Sequence, residues 1–116
     1  MKRIISLDNL KMESINQKYI ISKSTGRLIL APKYRDFKNL LKESCILFTE
    51  KAPYSITVYM DTYLDIDNIL KCVIDALGDV ITNDRFVYEL HAFKKPIRKG
   101  ALGRLEVYID SLSKEE

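Results

Sequence analysis

Two stretches of helical periodicity, held apart by one β-rich run, constrain this chain more than any other feature. From Lys33 to Glu50 the apolar positions Phe37, Leu40, Leu41, Cys45 and Phe48 fall on one helical stripe, with Pro32 ahead of it and Pro53 behind. A second stripe runs from Asp67 to Leu77 through Leu70, Val73, Ile74 and Leu77, with Ile66 at its edge and Gly78 as a stop. Between them, Tyr54 to Asp61 is rich in β-branched and aromatic residues and reads as a strand. Each stripe must bury against something, and a sheet built partly from that strand is the surface on offer.

The flanks supply the rest of the sheet. Residues 3 to 30 read as short strands broken by a turn at Ser24-Thr25-Gly26, with Tyr19-Ile20-Ile21 and Leu28-Ile29-Leu30 on either side. Phe86 to Phe93 and Arg104 to Ile109 alternate as two further strands, expected antiparallel. The expected class is α+β: one domain over residues 1 to 116, with a mixed or antiparallel sheet and two main helices packed on one face. No linker, repeat or low-complexity segment divides it.

Composition excludes more than it assigns. The basic start, Met1-Lys2-Arg3, is followed by too short an apolar run for a signal peptide, and no run approaches the ~20 residues of a membrane span. The expected place of action is therefore the cytoplasm, with no membrane partner. Cys45 and Cys72 lie far apart without metal-type spacing and read as buried thiols in a reducing compartment. A single histidine, His91, leaves no site built on several histidines and no Ser-His-Asp arrangement. The net charge of +3 points only weakly toward nucleic acid.

The chemistry gathers where the central strand meets the second helix. Leu64-Asp65-Ile66-Asp67-Asn68 places two carboxylates one residue apart, on the same side of an extended segment, so both can converge on one ion. The plainer reading is a helix cap: Asp67 is a good N-cap, and negative charge is favoured at a helix N-terminus. Ile69 stands where a calcium loop needs an oxygen ligand. Lys71 lies one turn beyond Asp67 on the same helix face, and Asp75 one turn further, where it could hold Lys71 in place. Asn83-Asp84 follows the helix, putting a third carboxylate where a returning strand could bring it to the first two; its plainer meaning is a turn residue. Three carboxylates and a lysine suit phosphodiester cleavage. Hard oxygen ligands select Mg2+, with Mn2+ as a substitute, and a nearby ammonium can offset developing charge.

These residues resemble the signature of the RusA family of Holliday-junction resolvases. The resemblance is carried by Asp65-Ile66-Asp67-Asn68-Ile69-Leu70-Lys71 with Asp75-Ala76-Leu77, then Asn83-Asp84, then Lys95-Pro96 with Lys99-Gly100, and Arg104-Leu105-Glu106-Val107. Near the start, Ser14-Ile15-Asn16 with Tyr19 is similar to a family motif whose prolines are missing here. Asn83 departs from the family's more usual acidic residue, and Phe86 from a polar one.

The resemblance implies a RusA-like fold and a magnesium-dependent endodeoxyribonuclease. It further implies a homodimer that binds four-way DNA junctions and makes paired, symmetric nicks in recombination and repair. On it, Asp65, Asp67 and Asp84 are the metal ligands and Lys71 is a catalytic lysine. Lys94, Lys95, Arg98 and Lys99, in a glycine-terminated loop ahead of Arg104, form a basic cluster suited to phosphate contacts. The face carrying Arg35, Lys38 and Lys42 is a weaker candidate of the same kind. Tyr19 and Tyr34 could stack on unpaired bases, though core or interface is the commoner place for them. Two other classes compete. A nucleotidyltransferase shares the Asp-hydrophobic-Asp pair but wants a Gly-Ser pair upstream, and residues 50 to 60 contain no glycine. A non-catalytic junction-binding protein would keep the basic surface and lose the carboxylates.

Overall fold

The computed structural model describes residues 1–11, 19–81 and 84–113, with Asp84 described by its backbone alone. Among them the order is β1 (Lys2–Lys11), β2 (Tyr19–Ile21), β3 (Leu28–Leu30), α1 (Pro32–Ser44), β4 (Tyr54–Thr62), α2 (Ile66–Val80), β5 (Val87–Pro96) and β6 (Leu102–Ser111), with one 3-10 turn (Asp84–Phe86) leading into β5. Four strands form a mixed sheet in the order β1-β6-β4-β5, and β2 pairs with β3 in a separate ribbon. The fold is α+β, with both helices on one face of the mixed sheet.

Pro32 opens α1 where a missing N–H costs nothing, and Tyr34, Phe37 and Leu41 then recur on the buried side. The helix stops at Ser44, six residues short of the expected Glu50. Cys45 turns extended, and the Ile46 amide donates to the carbonyl of Ile4 on β1 at 2.9 Å. Ile46 and Thr49 are β-branched, and the β1 carbonyl gives the chain a better partner than another helical turn. Phe48 still reaches the core from this extended segment, edge-to-face with Tyr54 at 5.8 Å between ring centroids. Hydrophobic spacing survived the end of the helix; the helix itself did not.

At the second helix the expected bounds also shift. α2 starts at Ile66, with Asp65 rather than Asp67 as its N-cap, and runs through Gly78 to Val80. Gly78 is an interior residue here, because the Ile81 amide continues the ladder to the Leu77 carbonyl at 2.9 Å. Ile69, Cys72, Val73, Ala76 and Leu77 form the buried stripe against the sheet.

β4 is the axis of the molecule. On its helix side Ile56, Val58 and Met60 sit in register with Ile109, Val107 and Leu105 of β6, and all six are fully buried or nearly so. β5 joins the other edge of β4 in parallel, connected through α2. The strands β5 and β6 thus run in opposite directions as expected, but β4 stands between them and they do not pair. β1 closes the far side against β6, with a bulge between Leu7 and Leu10 where Asn9 takes a left-handed φ of 52°. Asparagine is among the few residues that tolerate that conformation.

Candidate active site

The geometry of the acidic segment begins with Thr62, the last residue of β4, which is completely buried. Its hydroxyl accepts the Leu64 amide at 3.0 Å, turning the chain out of the strand, while Leu64 anchors in the core. Asp65 then sits extended at φ −67°, ψ 143° and makes no side-chain capping bond. Its backbone carbonyl accepts the Ile69 amide, starting the helix. Asp67 lies in the first helical turn. Both carboxylates are exposed, and neither takes part in an ion pair or side-chain hydrogen bond among the described residues. Two adjacent carboxylates without a side-chain partner among the described residues leave their oxygens available to an external cation.

Lys71 shares an open groove of about 380 Å3 with Asp67, lined further by Leu70, Ile74 and Asp75 of α2 and by Leu90 across from them on β5. Lys71 is exposed and makes no ion pair among the described residues. Asp75 has a different engagement from the expected one. The phenol of Tyr34, on α1 and wholly buried, donates to Asp75 Oδ2. Burial, with the Asp75 hydrogen bond second, pushes the Tyr34 phenol far above its ordinary range, so it stays neutral and donating. Tyr34 therefore ties the two helices together beside the groove and is closed to base stacking. Nothing in the sequence pattern paired Tyr34 with Asp75, 41 residues away.

Asp84 lies elsewhere. It opens the 3-10 turn that follows α2 and precedes β5, and β5 starts beside Tyr54, at the opposite end of β4 from Asp65. The 15 residues of α2 correspond to roughly 22 Å of helix between the two ends. The backbone of one copy thus brings Asp65, Asp67 and Lys71 together and holds Asp84 a helix length away. Asn83, like Ser14, Ile15 and Asn16, lies outside the described residues. Among described residues no cluster of three or more histidine, cysteine or acidic side chains is arranged to hold a metal ion.

The basic cluster is divided by secondary structure. β5 extends to Pro96, so Lys94 and Lys95 belong to the strand rather than to a loop and project to opposite faces. Lys94 is in register with Met60 on the helix side, and Lys95 with Asp61 on the other. Arg104, in β6, is also opposite Asp61 and approaches Glu106 at 3.8 Å. Arg98 and Lys99 remain in a turn closed by the Ala101 amide on the Arg98 carbonyl at 3.0 Å, with Gly100 supplying the required φ of 90°. The Ile97 amide donates to the Thr62 carbonyl at 3.2 Å, tethering this turn to the start of the acidic segment. On α1, Lys38 and Lys42 both pair with Asp79 of α2, at 3.0 and 3.3 Å, so that basic face joins two helices. His91 is an exposed strand residue beside Glu89 at 3.3 Å. Cys72 is buried and Cys45 half-buried, and neither forms a disulfide among the described residues.

With this geometry in place, comparison with protein families gives a decisive match: the model of the endodeoxyribonuclease RusA family covers residues 49–110. The chain belongs to the RusA family. The matched span covers more than half of the chain and takes in β4, α2, β5 and nearly all of β6, hence Asp65, Asp67, Lys71, Asp84 and the basic turn. A search of curated proteins returned no match. RusA membership marks the chain as an endodeoxyribonuclease, a hydrolase of DNA phosphodiester bonds. The donor set fits what a RusA nuclease would ask of a magnesium site. Two carboxylates without a side-chain partner among the described residues are hard oxygen ligands, and magnesium is commonly held by one or two carboxylates together with water and substrate phosphate.

Proposed function

We propose that this protein is a magnesium-dependent endonuclease that resolves four-way DNA junctions by paired symmetric nicks, acting as a homodimer in recombination and repair. The observation that carries the reading is the Asp65–Asp67 couple at the α2 N-terminus, without a side-chain partner among the described residues, with Lys71 one turn along, inside the span that matches the family.

Asp65 and Asp67 would hold Mg2+, or Mn2+ in its place. When bound, the ion lowers the cost of deprotonating water and offsets charge on the phosphoryl oxygens. The residues of the chain do the rest. Lys71, free of ion pairs, places an ammonium where charge builds as the phosphodiester bond breaks. Arg98 and Lys99, with Lys94, contact the DNA backbone beside the acidic segment. Lys95 and Arg104 face the far side of the sheet, which narrows the phosphate-binding set to those three. Asp84, a helix length from the couple in its own chain, would serve as third carboxylate for the site of the second copy. A two-fold substrate cut twice calls for two sites related by a two-fold axis.

The test is cleavage of a labelled synthetic four-way junction against matched linear duplex, with magnesium and with chelator. Paired nicks on the junction alone, dependent on the metal and abolished by Asp67→Asn with binding retained, are expected. A variant that still cuts would remove Asp67 from the site. In the binding arm, Arg98→Ala with Lys99→Ala should flatten the salt dependence, by about one unit of log-log slope for each phosphate no longer neutralised. Binding without cutting, in magnesium and manganese alike, would favour a non-catalytic junction binder.

A further inference from the structure

Ahead of α1 the chain forms a projecting hairpin. β2 and β3 pair with each other, apart from the mixed sheet. A lone two-stranded ribbon is marginal in water, so it persists only where its base is held and its turn is well built. Both conditions are met. At the base, Ala31 is buried directly after β3, and Tyr34 is buried in the first turn of α1. At the tip, the Ser22 amide donates to the Arg27 carbonyl and the Gly26 amide to the Ser22 carbonyl, each at 2.8 Å. Gly26 takes the φ of 69° that this closure needs. The Thr25 amide donates to Ser22 Oγ at 3.4 Å, and the Arg27 amide to Thr25 Oγ1 at 3.3 Å. Extended chain from Leu30 back to Gly26 carries this tip ~13 Å beyond the anchor.

Paired residues of an antiparallel ribbon point to one side, so Tyr19 with Leu30 and Ile21 with Leu28 share a face. Leu30 packs on the core, whereas Ile21 and Leu28, the rung next to the turn, are 69% and 66% exposed. Lys23 and Arg27 sit in the turn beside that rung, both exposed and neither in an ion pair among the described residues. From Tyr19 to Lys33 the chain carries three bases and no acid. The base of the ribbon stands next to the groove: Tyr19 is within electrostatic reach of the Tyr34 phenol, which bonds Asp75 on the groove wall.

A basic tip and a bare aliphatic rung make different demands, and one partner meets both. Phosphates answer the cations, giving affinity without sequence reading. Aliphatic side chains gain only against an apolar surface, and in intact duplex each base face is covered by its neighbour. At a branch point stacking is interrupted, so an aliphatic wedge can cover a base face at a lower unstacking cost. We infer that the β2–β3 ribbon is a wedge for branched DNA: Ile21 and Leu28 cover an unstacked base at the branch point while Lys23 and Arg27 hold adjoining phosphates. The inference rests on the nuclease reading for its choice of DNA and deepens it. The wedge supplies what the carboxylates cannot, a means of telling a junction from plain duplex beside the groove where cutting would occur.

The test measures binding in chelator, where no cutting intervenes. A four-way junction carries 2-aminopurine at its branch point, and a matched duplex carries it within a stacked arm. The wild type should raise the fluorescence of the junction and leave that of the duplex unchanged. Ile21→Ser with Leu28→Ser should abolish the rise and lower the preference for junction over duplex by at least about tenfold, with duplex affinity held within about twofold. Ile21→Met with Leu28→Met should keep both, because a wedge needs an adaptable apolar surface. Lys23→Ala with Arg27→Ala should weaken binding to both DNAs and flatten the salt dependence by about two units of log-log slope. Circular dichroism checks that each variant is folded. A serine variant with unchanged preference and fluorescence would overturn the wedge and leave the nuclease reading to junction cleavage. A wild type that binds neither DNA would overturn both. A serine variant that changes only the sedimentation of the protein, with DNA binding intact, would mark the rung as a protein contact and overturn the inference.

Discussion

Tyr34 and Asp75 form the polar contact of greatest consequence beside the groove. A fully buried phenol must find an acceptor, and a half-buried carboxylate needs donors to stay charged; each satisfies the other across the two helices. Tyr34→Phe keeps the ring in the core and removes only the hydroxyl. It should cost about 1–2 kcal/mol, the net contribution of a hydrogen bond to a half-buried carboxylate, read as a lower urea midpoint with an unchanged m-value. The contact also keeps Asp75 turned toward α1, which leaves the Lys71 ammonium for the substrate side of the groove. At this scale the sequence located neighbouring residues more readily than their distant partners. The closeness of Asp65, Asp67 and Lys71 was legible because they sit within two helical turns, where spacing determines geometry. The Tyr34–Asp75 bond depends on how two helices pack, which no local spacing encodes.

The same limit governs the elements. Apolar periodicity located both helices and the central strand, since burial has to follow the geometry of the element that buries. It could not find where α1 ends, because Phe48 remains on the apolar stripe after the chain has become extended. Gly78 misled for a related reason: glycine commonly stops a helix, but here α2 has tertiary support on both sides of it. A Cβ at Gly78 would meet nothing within 4 Å, and its φ is not positive. Gly78→Ala should therefore stabilise the fold by about 0.5–1 kcal/mol, seen as a rise in urea midpoint. The two helices are further joined by Asp79, whose carboxyl is held below the usual carboxylate range by Lys38 first and Lys42 second. Its folded pKa is depressed, so its contribution is present above the unfolded carboxylate value and is lost as pH falls through the folded one. Stability should decline from about pH 5 downward, and Asp79→Asn should remove that part of the slope. The pair is partly exposed, and the loss near neutral pH should be only about 0.5–1 kcal/mol.

For the whole molecule, the parallel pairing of β4 and β5 has the largest effect. A helix that carries the chain back to the start of β4 separates Asp84 from Asp65 and Asp67, though only 17 residues divide Asp84 from Asp67 in sequence. Sequence order suggested one cluster; topology separates it. If Asp84 serves the second copy, Asp67→Asn and Asp84→Asn should each be inactive alone. Mixed dimers should recover one working site, and so nick one strand of a junction. A mixture that never nicks would return Asp84 to its own chain.

Thr62 also sets a distance. Its hydroxyl fixes where the chain departs toward the carboxylates, and its carbonyl holds the turn bearing Arg98 and Lys99. If the proposed function holds, this one buried residue would act as the zero mark of a ruler, with the grip on the DNA strand at one graduation and the scissile bond at another. The offset between held and severed phosphates would then be built into the framework, so cutting position would keep its phase with the junction even when the bases around it change.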